Sequence, residues 1–191
     1  MSGAGLVRSV TVEIRPTNSR VVYANRWMTV REDAVERANG SRGVFGVVDK
    51  PDFALVIPST PTGFWLVEQY RYPVQGRYWE FPQGSWEGNS HIDPAALAAG
   101  ELEEETGLRA GTMRQLGHLC SAYGYSTQGF HVFVATDLAE GPTRRSVEEQ
   151  DLQAVEVTTS EFIAMIQAGQ VKDAATLAAY SLFLVDQPAN Q

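Results

Sequence analysis

The stretch richest in chemistry is Gly100-Glu101-Leu102-Glu103-Glu104-Glu105-Thr106-Gly107-Leu108. On a helix, residues three and four apart share a face, so Glu101, Glu104 and Glu105 are expected to project together. Ala95, Ala98, Ala99, Leu102 and Thr106 make the opposite stripe, small and apolar enough to pack closely on a sheet. Clustered carboxylates repel one another, and a solvated face is one explanation of such a run. Three features weigh against it. No lysine or arginine lies at helical spacing to offset the charge. Acidic side chains near a helix C-terminus oppose the macrodipole. The helix also follows a loop that contains Phe81-Pro82-Gln83-Gly84. Oxygen-rich clusters hold hard divalent cations, Mg²⁺ above all. On the residues alone, a cation site and a solvated face stand level.

Other chemistry is sparse. The three histidines, His91, His118 and His131, lack metal-ligand spacing. His118 and His131 sit in apolar strand contexts and are expected to be satisfied structural residues. The lone cysteine, Cys120, excludes an intramolecular disulfide and a cysteine-cluster zinc site, and reads as a buried thiol on a strand. No Walker-type Gly-Lys-Ser/Thr loop occurs, and spacing supports no Ser-His-Asp arrangement.

The elements that must position the acidic helix are legible from local signals. Asp93 is a good N-cap, Pro94 fits the first helical position, and Gly107 supplies the stop. Strand signals come earlier, at Val10 to Ile14, Trp27 to Arg37, and Val44 to Val48 after an Asn39-Gly40 turn. Phe53 to Pro58 and Phe64 to Tyr70 flank Thr60-Pro61-Thr62-Gly63 and read as a core hairpin. Strands return at Met113 to Cys120, Gly129 to Thr136 and Leu152 to Val157. Thr158 with Glu161 forms a capping-box pattern, opening a helix that stops at Gly169, and Asp173 caps a last helix from Ala174 to Val185. The order predicts an α/β fold, a mixed sheet between helices. Residues 1–45 read as a separate β-rich segment and 46–191 as the main domain.

The bulk properties agree with a small folded protein. The chain has 191 residues, 43% of them hydrophobic and 20% charged, the balance of a sequence that buries a core. Fifteen basic residues against 23 acidic ones leave a net charge of −8. Such a surface is repelled by phosphate backbones and anionic lipids, so neither nucleic acid nor membrane is an expected partner. Small polyanions remain accessible through a metal ion. No signal peptide is expected, and Ala174 to Val185 is too short to cross a bilayer, so a cytoplasmic protein is anticipated.

Residues 84–108 resemble the signature of the Nudix hydrolases, whose second half is matched at Glu101, Leu102, Glu104, Glu105, Gly107 and Leu108, and whose opening is matched at Gly84. Three further segments are similar to the ADP-ribose pyrophosphatase branch. They are Leu66-Val67-Glu68-Gln69-Tyr70-Arg71-Tyr72-Pro73, Trp79-Glu80-Phe81-Pro82-Gln83-Gly84 and Gly169-Gln170-Val171-Lys172-Asp173-Ala174. The resemblance runs from about Trp27 to Leu184. It implies a Nudix-type α/β/α sandwich and hydrolysis of a nucleoside diphosphate linked to another group, with ADP-ribose the leading substrate and nucleoside diphosphate sugars the alternative. The implied cofactor is Mg²⁺, with Mn²⁺ as its substitute. By the same resemblance Glu101 and Glu105 ligate metal, Glu104 is a further ligand or supporting catalytic group, and the Gln83 carbonyl completes the set. Arg71 and Glu80 match substrate-contacting positions. A surface salt bridge is an equal reading of Arg71. Base stacking is one reading of Trp27, and a core or dimer-interface role is the favoured one. The branch implies a homodimer formed through the N-terminal strands.

The pattern also departs from the family. Gly100 stands at the signature's arginine. The loop from Gly84 to Pro94 is two residues longer than usual, which puts Ser90 or Ile92 at the first glutamate. Those two family residues commonly pair, and losing both strands no buried charge. Gly100 is expected to let another backbone approach. Gln128 and Gln150 stand where the family usually has glutamates, while Glu148 matches a late catalytic glutamate and is the candidate general base, with Glu149 behind it. These departures keep two other readings open, a Nudix-fold sensor that binds nucleotide without turnover and a structural protein with a solvated acidic helix.

Overall fold

The computed structural model describes residues 13–85, 92–141 and 151–187. Glu148, Glu149, Gln150 and His91 therefore lie outside the described residues. The chain divides into two compact units, one up to Lys50 with Gly124–Thr127, the other Pro51–Tyr123 with Gln128 onward.

The first unit is an antiparallel sheet of β1 (Ile14–Ala24), β2 (Thr29–Arg37) and β3 (Arg42–Asp49), with β2 in the centre. β1 runs through Arg15–Ala24, a stretch whose polar mix gave no strand signal. It is exposed along its whole length. Val21, Val22, Tyr23, Val44 and Phe45 are also exposed. Arg31 pairs with Asp33 on its own strand and with Asp49 on β3 beside it.

The second unit holds two sheets. β10 (Gln153–Thr158), β5 (Gly63–Arg71) and β6 (Gly76–Glu80) are antiparallel, while β7 (Gln83–Gly84), β4 (Phe53–Pro58), β9 (Gly129–Glu140) and β8 (Leu108–Cys120) lie in that order. In the second sheet only β4 and β9 run parallel, so the sheet is mixed. β4 sits at the heart of the unit. Leu55 and Ile57 join a core with Phe64, Phe81, Phe130, Phe162 and Ala179, against α2 (Thr159–Gln167) and α3 (Ala174–Asp186). Ala54 and Val56 on the other face join Leu97, Ala98 and Leu102 of α1 (Pro94–Thr106). A strand buried on both faces reads as a continuous apolar run, which is what Phe53–Pro58 is.

The expected hairpin does not form. β4 and β5 belong to different sheets, joined only by a bridge from Ser59 to Phe64. The cause is edge occupancy. β9 covers one edge of β4, and β7 together with the Pro82 carbonyl, which accepts from Val56 N–H, covers the other. β5 is left to pair with β6 and β10.

The helix caps stand as anticipated. Asp93 accepts from Ala95 N–H, Gly107 ends α1 in the left-handed region, and Thr158 with Glu161 forms a complete capping box. Asp173 caps α3 by accepting from Thr176 N–H. Two expectations fail. Cys120 is exposed, because at the end of β8 it is Leu119 that turns to the core. Gly100 is exposed, and a Cβ built there would meet nothing within 4 Å, so no backbone approaches it. No helix among the described residues is long and apolar enough to cross a membrane.

Candidate active site

The acidic helix does not present its three glutamates to solvent. Its buried residues are Leu97, Ala98, Leu102 and Glu105, so Glu105 belongs to the apolar stripe, and it is 1% exposed. Ala99, placed in that stripe by the sequence, is exposed. Glu101 and Glu104 are partly buried. At 100° per residue Glu101 falls between Leu97 and Leu102, on the same side as Glu105.

Both carboxylates meet the backbone of β7. Glu105 accepts from the Gln83 N–H at 3.2 Å. A Cβ built on Gly84 would lie 2.5 Å from Cδ and both carboxylate oxygens of Glu101. Glycine is required there because any side chain would occupy the space the carboxylate fills. A strand of two residues thus forms the floor under two anionic side chains from a helix.

That floor is fixed from below by the late segment. The Trp79 N–H donates to the Gln170 carbonyl, and the Phe81 N–H donates to Oγ1 of the fully buried Thr176 at 3.0 Å. The Gln83 side-chain amide donates to Asp173 Oδ2 at 2.9 Å, the same oxygen that caps α3. Two segments that share the family resemblance are therefore one packed substructure. Asp173 and Thr176 were legible only as helix-start residues. Their second bonds, to Gln83 and Phe81, cross ninety or more positions of sequence.

Arg71 and Glu80 form an ion pair on neighbouring strands. Nε and Nη2 of Arg71 both donate to Glu80, which also accepts from Gln69 Nε2 at 2.9 Å. The salt bridge expected of Arg71 is present, to a buried Glu80, while the Arg71 side chain stays 40% exposed. Burial raises the Glu80 carboxyl above its ordinary value of 4.5, Arg71 opposes the shift, and the nearby charge of Asp173 adds to it. Gln83 thus links Asp173, through its side chain, to Glu105, through its backbone N–H, and the charge of Asp173 is felt at the Arg71–Glu80 pair.

Four other residues singled out from the sequence have different partners. Trp27, on the first unit, is 49% exposed, with the Arg26 guanidinium 4.2 Å from its ring centre, so it is not a core residue. The Gln128 side chain donates to the Pro51 carbonyl at 2.9 Å. His118 and His131 are satisfied, by Asp52 and Gln115, but at the surface rather than in the core.

Carboxylate oxygens converging on the Gln83–Gly84 backbone suit a hard divalent cation. Among known families, the NUDIX domain profile matches residues 49–180. The chain belongs to the Nudix family. It is a Nudix hydrolase. The profile of the nucleoside diphosphate sugar hydrolase N-terminal domain matches residues 14–48. Among relatives, the methanol dehydrogenase activator of Bacillus methanolicus is 28% identical over 169 residues, 87% of this chain and 90% of that one. The ADP-ribose pyrophosphatase of Bacillus subtilis is 27% identical over 157 residues, 81% of this chain and 84% of that one. A crystal structure described as an ADP compounds hydrolase covers 93% of this chain with a TM-score of 0.79 at 23% identity, a likeness of fold. This Nudix hydrolase has the mixed α/β architecture of that neighbour.

Proposed function

We propose that this Nudix hydrolase cleaves the pyrophosphate bond of a nucleoside diphosphate derivative in a Mg²⁺-dependent reaction, with ADP-ribose the foremost substrate. The observation that carries the reading is the convergence of Glu101 and Glu105 on the Gln83–Gly84 backbone. The named activity of the Bacillus subtilis relative supports the choice of substrate. Glu101 and Glu105 would hold Mg²⁺ with the Gln83 carbonyl, and Glu104 would be a further ligand or support them. When bound, Mg²⁺ neutralises phosphoryl oxygens and lowers the pKa of an attacking water.

The chain's own groups supply the rest. Arg71, aligned by buried Glu80, presents its exposed part to a phosphate. Glu80 in turn is a positioning residue, because two donors hold its carboxylate on the strand beside Arg71. Glu148 takes the proton of the attacking water as general base. Trp27, with its ring half open to solvent, stacks on the base or joins a dimer contact. The exposed apolar residues of β1 and β3 support a homodimer built through the N-terminal sheet. The intended setting is the cytoplasm, with a small nucleotide as the partner molecule.

A second reading, cleavage of nucleoside diphosphate sugars, is favoured by the profile matched at residues 14–48. The test is product release from ADP-ribose, NADH, GDP-mannose and UDP-glucose, each with and without Mg²⁺. Metal-dependent cleavage of ADP-ribose above the others supports the first reading. Preference for a sugar nucleotide supports the second. Tight binding of these ligands without cleavage, with Mg²⁺ and Mn²⁺ both tried, overturns both in favour of a sensor.

A further inference from the structure

We propose that Asp52, His118 and His131 form a second cation site, for a zinc-class divalent ion. The three residues are scattered in the sequence and meet only through strand pairing. His118 on β8 and His131 on β9 are direct cross-strand partners, with ring centres 4.7 Å apart. Asp52 stands immediately before β4 and places Oδ2 at 2.8 Å from His118 Nε2 and 3.8 Å from His131 Nε2. One ligand atom from each residue lies within 4.8 Å of the others.

These distances suit a small metal ion. Zinc bonds of about 2.0–2.2 Å in tetrahedral geometry put neighbouring ligand atoms about 3.3–3.6 Å apart. The two distances to Asp52 Oδ2, 2.8 and 3.8 Å, bracket that spacing, and binding an ion would draw a set that spans no more than 4.8 Å closer together. An ordinary His–Asp ion pair accounts for His118 alone. It does not account for His131 Nε2, which lies 3.8 Å from the same oxygen, too far for a hydrogen bond. Two imidazoles and one carboxylate favour zinc and its transition-metal neighbours over Mg²⁺.

The surroundings hold the three ligands in place. Asp52 Oδ1 accepts from the Gly129 N–H at 2.6 Å, which turns Oδ2 toward the histidines. A Cβ on Gly129 would lie 2.4 Å from His118 Nε2, so only glycine leaves room for this ring. The Gln115 amide meets His131 Nδ1 at 3.1 Å, leaving Nε2 as the coordinating nitrogen. Turned by 180°, that amide offers its oxygen to Nδ1–H, the outer contact metal-bound histidines usually make. The side chains of His118 and Asp52 are 43% and 41% exposed, so an ion can enter from solvent and keep a water as fourth ligand.

The site shares no residue with the acidic helix. Gly84, Ala54, His131 and His118 nevertheless pair successively across β7, β4, β9 and β8. Two strand spacings, about 10 Å, separate the backbones of Gly84 and His131. The test must therefore tell the two sites apart, and it does not depend on the proposed hydrolysis.

Untagged full-length protein in excess Mg²⁺, which occupies the helix carboxylates, is titrated with Zn²⁺ by calorimetry. One Zn²⁺ per chain is expected. Its affinity should fall at least tenfold in His131→Asn and in Gly129→Ala, and be lost in the His118→Asn/His131→Asn double variant. It should be unchanged in Glu101→Gln/Glu105→Gln. Should the double variant fail to fold, histidine NMR of the wild-type chain decides, because it has only three histidines. Zn²⁺ should shift the ring signals of His118 and His131 together. No Zn²⁺ uptake under excess Mg²⁺, uptake abolished only by the glutamate variants, or shifts confined to His91 would each overturn the proposal.

Discussion

Gly84→Ala isolates the contact on which the active-site proposal rests. The new Cβ would sit 2.5 Å from the Glu101 carboxylate, where ordinary contact begins near 3.4 Å. The carboxylate must therefore retreat by about 1 Å, a misplacement that can cost on the order of 10²-fold in rate. That corresponds to about 2.7 kcal/mol of transition-state stabilisation. The fold should tolerate the change. Gly84 does not have a positive φ, and the atoms it displaces are the end of a flexible, partly buried side chain. The thermal midpoint should thus move by only a few degrees while kcat/KM drops about 100-fold. The assay is Mg²⁺-dependent hydrolysis of whichever nucleotide the wild-type chain cleaves best, beside a thermal melt. Adding Glu101→Asp, which shortens the side chain by one methylene, should recover part of the loss. Wild-type kcat/KM in Gly84→Ala would refute the reasoning, because the carboxylate would then have no need of the space.

Other outcomes are expected on the same grounds. Gly100→Ala should stabilise the chain by about 1 kcal/mol, or 2–4 °C, since Gly100 is exposed mid-helix with open space around it; an unchanged melt would count against the helix argument. Glu105→Gln keeps an oxygen for the Gln83 N–H but removes the anion, so hydrolysis and any Mg²⁺-induced rise in thermal midpoint should both disappear at a folding cost of about 1–3 kcal/mol; retained turnover would sink the metal assignment. Burial raises the Glu80 carboxyl, so the folded state holds its proton more tightly than the unfolded chain. Its contribution is therefore fully present below 4.5 and is lost as pH rises through the folded value. Urea titrations across that window should show the wild type losing stability relative to Glu80→Gln, and parallel curves would contradict the assignment.

Local signals carried much of the fold. Asp93-Pro94 and Gly107 bound α1, and Thr158 with Glu161 opens α2, because caps are made by groups two to four residues apart. The two-residue β7 was not legible, since Trp79-Glu80-Phe81-Pro82-Gln83-Gly84 carries no alternation and contains a proline. The supposed β4–β5 hairpin failed for a related reason. Pattern marks a strand but does not say which edge it takes, and both edges of β4 belong to distant segments.

The acidic cluster shows where residue type and spacing stop. They announced a helix, its ends and an unusual concentration of carboxylates, all properties of one continuous stretch of chain. They set Glu105 opposite the apolar stripe and left a cation site and a solvated face level, because a charged side chain carries no sign that it will be buried. Its burial rests on the Gln83–Gly84 backbone that packs over it, and that backbone is held by Asp173 and Thr176 from the far end of the chain. The same holds for His118 and His131, thirteen positions apart, matched to each other by the antiparallel register of β8 and β9 and to Asp52 by the parallel pairing of β4 with β9. Helices and caps follow from neighbours in sequence, whereas the grouping of charges follows from long-range strand pairing and packing, which no local pattern encodes.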